Sequence, residues 1–230
     1  MRLIFRIFRY LIFLGIPALL LFGYFVPSLP TELPFKEQQV WKQRKNTPEL
    51  AAEAVKDGYP GLKVDVTYVD GELYVVHVPA RYDQSTSLRH YLAELDRLGV
   101  HPMIWLDIKN LTLFNETAIA KQLVSLKAAR ALVVESARPF FMFRICSTGL
   151  NCSVWAKGTE KMHARIWYQI WINLLARFGR VAAISVHYFS WDSTKDLVSG
   201  DFPKFVYTLP ANANLDNWQK QKSARVLLTD

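Results

Sequence analysis

From residue 41 to the C-terminus of this 230-residue chain, strand-like and helix-like segments alternate without a break. A helix opens at Asn46-Thr47-Pro48-Glu49, where a capping side chain precedes proline at the first helical position, and Gly58 closes it. Strands over 62–69 and 72–78 flank Asp70-Gly71, a strong signal for a tight hairpin because both residues tolerate positive φ. Helix 88–98, strand 102–109, helix 116–130 and strands 131–135 and 153–156 follow. A helix over 163–178, strands 181–187 and 204–209, helix 215–222 and strand 225–229 complete the series. Seven or eight apolar strands separated by helices predict a parallel sheet closed into a (β/α)8 barrel of the TIM type, because strands covered by helices on the outside read as apolar runs.

The residues before that series behave differently. Residues 10–26 carry no charge, follow Arg2, Arg6 and Arg9, and hold Tyr24 and Phe25 near their end. About 20 apolar residues cross a bilayer core, and snorkelling arginines extend a shorter run. The chain lacks a small-x-small cleavage site before Pro27 and Pro30, which favours an uncleaved signal-anchor over a cleaved signal peptide. The basic flank predicts a single-pass membrane protein with its N-terminus in the cytoplasm and the barrel on the exported side. The expected division is therefore an anchor over 1–28, a Pro-rich tether over 29–40 and a barrel domain over 41–230.

Export bears on Cys146 and Cys152, which either close a small disulfide loop or stay as two buried thiols. The formal charge of +8 is spread along the chain, so no stripe of a nucleic-acid binder forms. Gly-rich phosphate loops, a His-Glu-x-x-His helix and a nucleophile elbow are also absent. The apolar helix around Trp167 and Trp171, bounded by Arg165 and Arg177, is too short to span a bilayer. It reads as a barrel helix with a wide core face, or as a docking surface for lipid or a membrane-protein partner.

Strand periodicity places the chemistry. Lys63 and Asp65 share one face of their strand, and Asp107 and Lys109 share one face of theirs. His77 ends the second arm of the hairpin. At the C-terminal ends of barrel strands these groups make a pocket for a phosphate and a divalent cation. Glu135 ends another strand and reads either as a further carboxylate near Asp65 and Asp107 or, preferred here, as a structural partner of Arg138. His187 and Tyr188 are secondary pocket candidates, whereas His90, His101 and His163 read as surface residues.

The order of Gln43-Arg44, Asn46-Thr47, Lys63-Val64-Asp65, Asp70-Gly71, His77, Asp107-Ile108-Lys109, Tyr207-Thr208 and Thr229-Asp230 resembles the glycerophosphodiester phosphodiesterases. More broadly it resembles the phosphatidylinositol-phospholipase-C-like TIM-barrel phosphodiesterases. The resemblance implies Asp65 and Asp107 as metal ligands, His77 as the general acid, and Arg44 and Lys109 as phosphate-binding cations. It also implies two departures. Gln43 stands where the family has its first catalytic His, and Lys63 stands where it has a metal-binding Glu. Glutamine takes up no proton near neutral pH, and an ammonium group repels a divalent ion. An active member would use Ca²⁺ or Mg²⁺; with both departures no cofactor is expected, and Lys63 joins the phosphate-binding cations. Three functions follow as expectations: a degenerate barrel that binds a phosphate-bearing lipid headgroup, an active phosphodiesterase on glycerophosphodiesters or lysophospholipids, or an accessory subunit of a membrane complex.

Overall fold

The computed structural model describes residues 32–77, 86–127, 131–156, 181–195, 202–210 and 213–229, with a few helical residues within 15–18 and 166–174. The run 10–26 lies almost wholly outside these residues. Among the described residues no helix is long and apolar enough to cross a membrane.

Ten strands form one sheet: β1 (Gln39–Lys42), β2 (Gly61–Val69), β3 (Glu72–Val75), β4 (Thr86–Ser87), β5 (Met103–Ile108), β6 (Leu132–Ser136), β7 (Asn151–Ala156), β8 (Val181–His187), β9 (Lys204–Leu209) and β10 (Ala224–Thr229). Eight of them pair in parallel, and the pairing of Lys42 with Leu62 joins β1 to β2 and closes the barrel. β3 and β4 extend outward from β2 as antiparallel arms. The turn between β2 and β3 holds Asp70 at φ 48° and Gly71 at φ 90°, the double positive φ that the dipeptide leads one to expect.

Alternation along the strands creates two cores. Leu62, Val64, Ile104, Leu106, Val134, Ile184 and Val206 face outward and are buried beneath helices. These helices are α1 (Pro48–Lys56), α2 (Leu88–Arg97), α3 (Glu116–Lys127), α4 (Phe143–Ser147), α5 (Trp191–Thr194) and α6 (Leu215–Gln219). Thr47 caps α1, its hydroxyl accepting from Leu50 N, and Ser87 caps α2 in the same way on His90 N. The inward residues of the lower barrel, Trp41, Trp105, Val133, Ala183, Phe205, Val226 and Leu228, fill the interior. Gly61 admits the Trp41 indole: a Cβ there would sit 2.1 Å from the ring, inside any tolerable contact.

At the base one expectation changes and one open alternative closes. β1 begins at Gln39, inside the segment read as tether, and the residues before it belong to the barrel. Phe35 lies 5.8 Å from Trp41 and 6.5 Å from Phe205 between ring centroids, and Gln38 Nε2 donates to the carbonyls of Trp218 and Ala224. Proline punctuation alone suggested a free linker, yet Leu33 and Phe35 have an apolar floor to cover. Cys146 and Cys152 are joined in a disulfide with Cα atoms 5.7 Å apart, tying α4 to β7. Strand β7 starts at Asn151 rather than at residue 153.

Candidate functional site

The upper half of the barrel interior changes from apolar to charged. Along β2 the inward positions after Gly61 are Lys63, Asp65 and Thr67, and their counterparts on neighbouring strands are Asp107 and Glu135. Register aligns Asp65 with Asp107 and Asp107 with Glu135, so three carboxylates from three adjacent strands stand in one row. They open into a cavity of about 230 Å³ whose walls include Gln43, Arg44, Lys63, His77, Lys109 and Tyr207. Every residue named from the sequence as a site candidate on the first five strands therefore reaches one cavity.

Two ammonium groups occupy the space between the carboxylates. Lys63 Nζ donates to Asp107 Oδ2 at 2.9 Å and lies 3.5 Å from Glu135 Oε1, with the Trp105 and Tyr207 rings each 4.8 Å away. Lys109 Nζ bridges Asp65 Oδ1 and Asp107 Oδ2, both at 2.7 Å. His77 Nδ1 donates to the other oxygen of Asp65 at 2.8 Å. Asp65 is held from below as well, since its backbone N–H donates to Asn46 Oδ1. The arrangement is a chain of charge-assisted contacts from His77 through Asp65, Lys109, Asp107 and Lys63 to Glu135.

Burial and mutual charge set the protonation states. Burial pulls the Lys63 ammonium down, but Glu135, Asp107 and Asp65 together outweigh it and hold Lys63 above its ordinary value, so it stays charged. Burial pushes Asp107 up, and Lys63 and Lys109 more than reverse this, keeping it ionised. Glu135 differs. Burial raises it to about 7, with Lys63 only partly compensating and Asp107 adding to the rise. Its Oε2 is buried without a hydrogen-bond partner, and the approach of the Ser185 hydroxyl falls short of hydrogen-bond geometry. Burial, with Glu135 and Asp107 nearby, raises the Tyr207 phenol, which remains protonated.

A divalent cation does not fit this donor set. The space that Asp65, Asp107 and Glu135 would share with it is taken by the Lys63 and Lys109 ammonium groups. Among the described residues no group of three or more His, Cys, Asp or Glu side chains is arranged to hold a metal. The residues can instead receive an anion at the mouth, where Lys109 and the exposed Arg44 present donors.

Several placements correct the sequence reading. Glu135 pairs with Lys63 and not with Arg138, whose Nη1 donates to the Leu111 carbonyl instead. His187 does not line the cavity; it stands behind Tyr207 at 5.1 Å, its Nδ1 accepting from Phe189 N. Tyr188 turns away to pack on Trp218. His90 and His101 are on the surface as expected, and His163 lies outside the described residues. Trp155, Ala137 and Thr208 complete the wall without having been singled out as site residues. Strand period would have found Trp155, two residues beyond the buried Ser153.

Backbone conformation adds a signal that sequence does not carry. Arg44 at φ 56° and Thr208 at φ 61° are left-handed, and both line the cavity. For a β-branched residue this costs about 1–2 kcal/mol. Thr208 sits where β9 slips against β10 between Leu227 and Thr229, a bulge that re-aims the end of the strand. Such strain collects at sites whose geometry the surrounding fold over-determines.

The comparisons with known proteins agree with the barrel. No family model and no curated protein matches the sequence. Solved structures do match. An Oleispira antarctica phosphodiesterase in complex with its product sn-glycerol-3-phosphate superposes with a TM-score of 0.58 at 13% identity, covering 84% of this chain and 92% of the other. A calcium-dependent phosphoinositol-specific phospholipase C from a Pseudomonas species superposes with a TM-score of 0.59 at 11% identity, covering 90% and 93%. The closed parallel barrel and its superposition on these structures give this chain the TIM-barrel fold seen in phosphodiesterases and phosphoinositol-specific phospholipases C of this kind.

Proposed function

We propose that the barrel mouth binds a phosphate group on a lipid headgroup or glycerophosphodiester, without a divalent cation and without hydrolysing it. The observation that carries this reading is the seating of the Lys63 and Lys109 ammonium groups among the three carboxylates. The intrinsic cations supply the positive charge that a phosphodiesterase of this fold would take from a metal. Arg44 and Lys109 meet the phosphate oxygens, and Lys63 neutralises the floor behind them. On the side where an alkoxide would be formed or protonated, Gln43 offers an amide and no proton acceptor. Residues 10–26 anchor the barrel at a membrane, which makes phospholipid headgroups the nearest source of ligand.

A second reading has its own observation. The Asp65–His77 contact of 2.8 Å is the geometry of a histidine oriented by a carboxylate for proton transfer. Under that reading the chain is a metal-independent phosphodiesterase in which His77 serves as both base and acid.

Titration calorimetry of the full chain in detergent micelles, with sn-glycerol 3-phosphate in EDTA, tests binding. A panel of glycerophosphodiesters and lysophospholipids with EDTA, Ca²⁺ or Mg²⁺ tests turnover. The expected result is binding in EDTA, weakened about tenfold or more by Lys109→Met for loss of one charged hydrogen bond, and no turnover. Turnover in EDTA that His77→Ala abolishes would establish the second reading. Metal-dependent turnover would overturn both.

A further inference from the structure

Among the described residues six of the ten large apolar side chains left in solvent, the five most exposed among them, belong to one end of the barrel. All but Leu50, Leu98, Val124 and Leu215 lie just beyond the C-terminal ends of the strands, where the cavity opens. Phe114 is 96% exposed and Phe189 80%, far beyond what a residue packed on its own loop shows. Leu113, Phe140 and Trp167 are each more than half exposed. They come from separate connections, after β5, β6, β7 and β8.

These connections touch one another and the cavity. Arg138 bridges the loop after β6 to the loop after β5 through the Leu111 carbonyl. Phe140 packs at a tilt against Trp171, 5.1 Å between ring centroids, and the Trp171 indole nitrogen donates to the Pro139 carbonyl. Phe189 packs on His187 at 5.3 Å, and His187 packs on the cavity residue Tyr207. The result is a rim of single apolar side chains around half the mouth. Arg44, Lys45 and Arg138 stand at the same end, while Arg144 there is matched by Glu116 and Lys195 by Asp192.

We infer that this rim inserts into the interface of a phospholipid bilayer and holds the mouth against the headgroup layer. Apolar tips that enter the acyl boundary, cations at the phosphate level and an anion-accepting cavity between them match the layering of a membrane surface. A protein partner would be served by a contiguous, shape-matched patch with few charges at its centre. Here the apolar groups are isolated on separate loops and the centre is charged. The inference deepens the phosphate reading and rests on it only for the lipid as the source of the phosphate.

Insertion is measured on the full chain, so that the N-terminal run is present in every sample and contributes equally. Phe114→Cys and Phe189→Cys, each labelled with an environment-sensitive fluorophore while the native disulfide stays closed, are reconstituted in phosphatidylcholine vesicles with and without phosphatidylserine. Leu98→Cys and Val124→Cys, exposed away from the rim, are the controls. Spin-labelled lipid is expected to quench the labels at 114 and 189 about twofold or more and to leave those at 98 and 124 unquenched, with phosphatidylserine increasing the effect. Equal quenching at all four positions would overturn the inference. So would labels at 114 and 189 shielded from both spin-labelled lipid and aqueous iodide, because that pattern belongs to a protein partner or a second copy. Insertion is read apart from headgroup affinity, so failure of the phosphate reading in calorimetry leaves this result interpretable.

Discussion

Glu135→Gln removes a cavity carboxyl that is close to half-ionised at neutral pH. The folded protein holds Glu135 at about 7, against an ordinary value of 4.5. Between those values the folded state carries a proton that the unfolded state has lost, so raising the pH favours unfolding. The contribution is fully present below the unfolded value, is lost as pH rises through the folded one, and levels off above about pH 8. Each pH unit in which only the folded state holds the proton is worth about 1.36 kcal/mol. The wild type should therefore lose about 2–3 kcal/mol relative to Glu135→Gln between pH 5 and pH 8. Urea titrations of both proteins at pH 5, 6, 7 and 8 measure this difference directly, and the relative midpoint should move by about 1 M. Asp107, held below the ordinary carboxylate range by Lys63 and Lys109, stays ionised over this pH range and adds no slope of its own. A difference that stays constant from pH 5 to 8 would refute the reasoning, because Glu135 would then be ionised throughout and its burial compensated by Lys63.

Lys63→Glu should reverse the sign of the cavity floor, lowering stability in EDTA and making it respond to Ca²⁺. A cation held at about 100 times its dissociation constant restores about 2.7 kcal/mol, read as a rise in Tm, whereas the wild type should show no such rise. Reducing Cys146–Cys152, which closes a loop of sequence separation 6, should cost about 2 kcal/mol. That corresponds to a Tm lower by roughly 5 °C in dithiothreitol, and an unchanged Tm would mean that the packing of α4 on β7 alone carries that corner.

Much of this site was legible because strand period is a rigid rule. Lys63 with Asp65, and Asp107 with Lys109, had to share faces, and in the barrel both pairs face inward. Asp70-Gly71 likewise left little freedom for the hairpin. What period cannot supply is the neighbour across the sheet. Glu135 looks outward along the sequence to Arg138, three residues away, and only closure of β6 beside β5 delivers it to Lys63 on β2. Short elements escaped for a related reason: α4 and α5 have five and four residues, too few to show a helical period. The bulge at Thr208 is invisible in the sequence because it arises from a slip between β9 and β10.

The floor of the barrel has a mechanical consequence. Phe35 and Gln38 fix the entering chain to the end where the strands begin, while the cavity opens where they finish. The two ends are opposite poles, set apart by about a strand length, roughly 20 Å. Only residues 27–32 separate the uncharged run from Leu33 and Phe35, and six residues reach roughly 20 Å when fully extended. Those two lengths match. A barrel whose first pole is leashed to a surface can turn its second pole onto that same surface only with the leash drawn out to its full reach along the barrel wall. Were the uncharged run held in that surface, each residue removed from 27–32 would shorten the leash by about 3.3 Å and tip the barrel by a corresponding angle, whereas added residues would leave it upright.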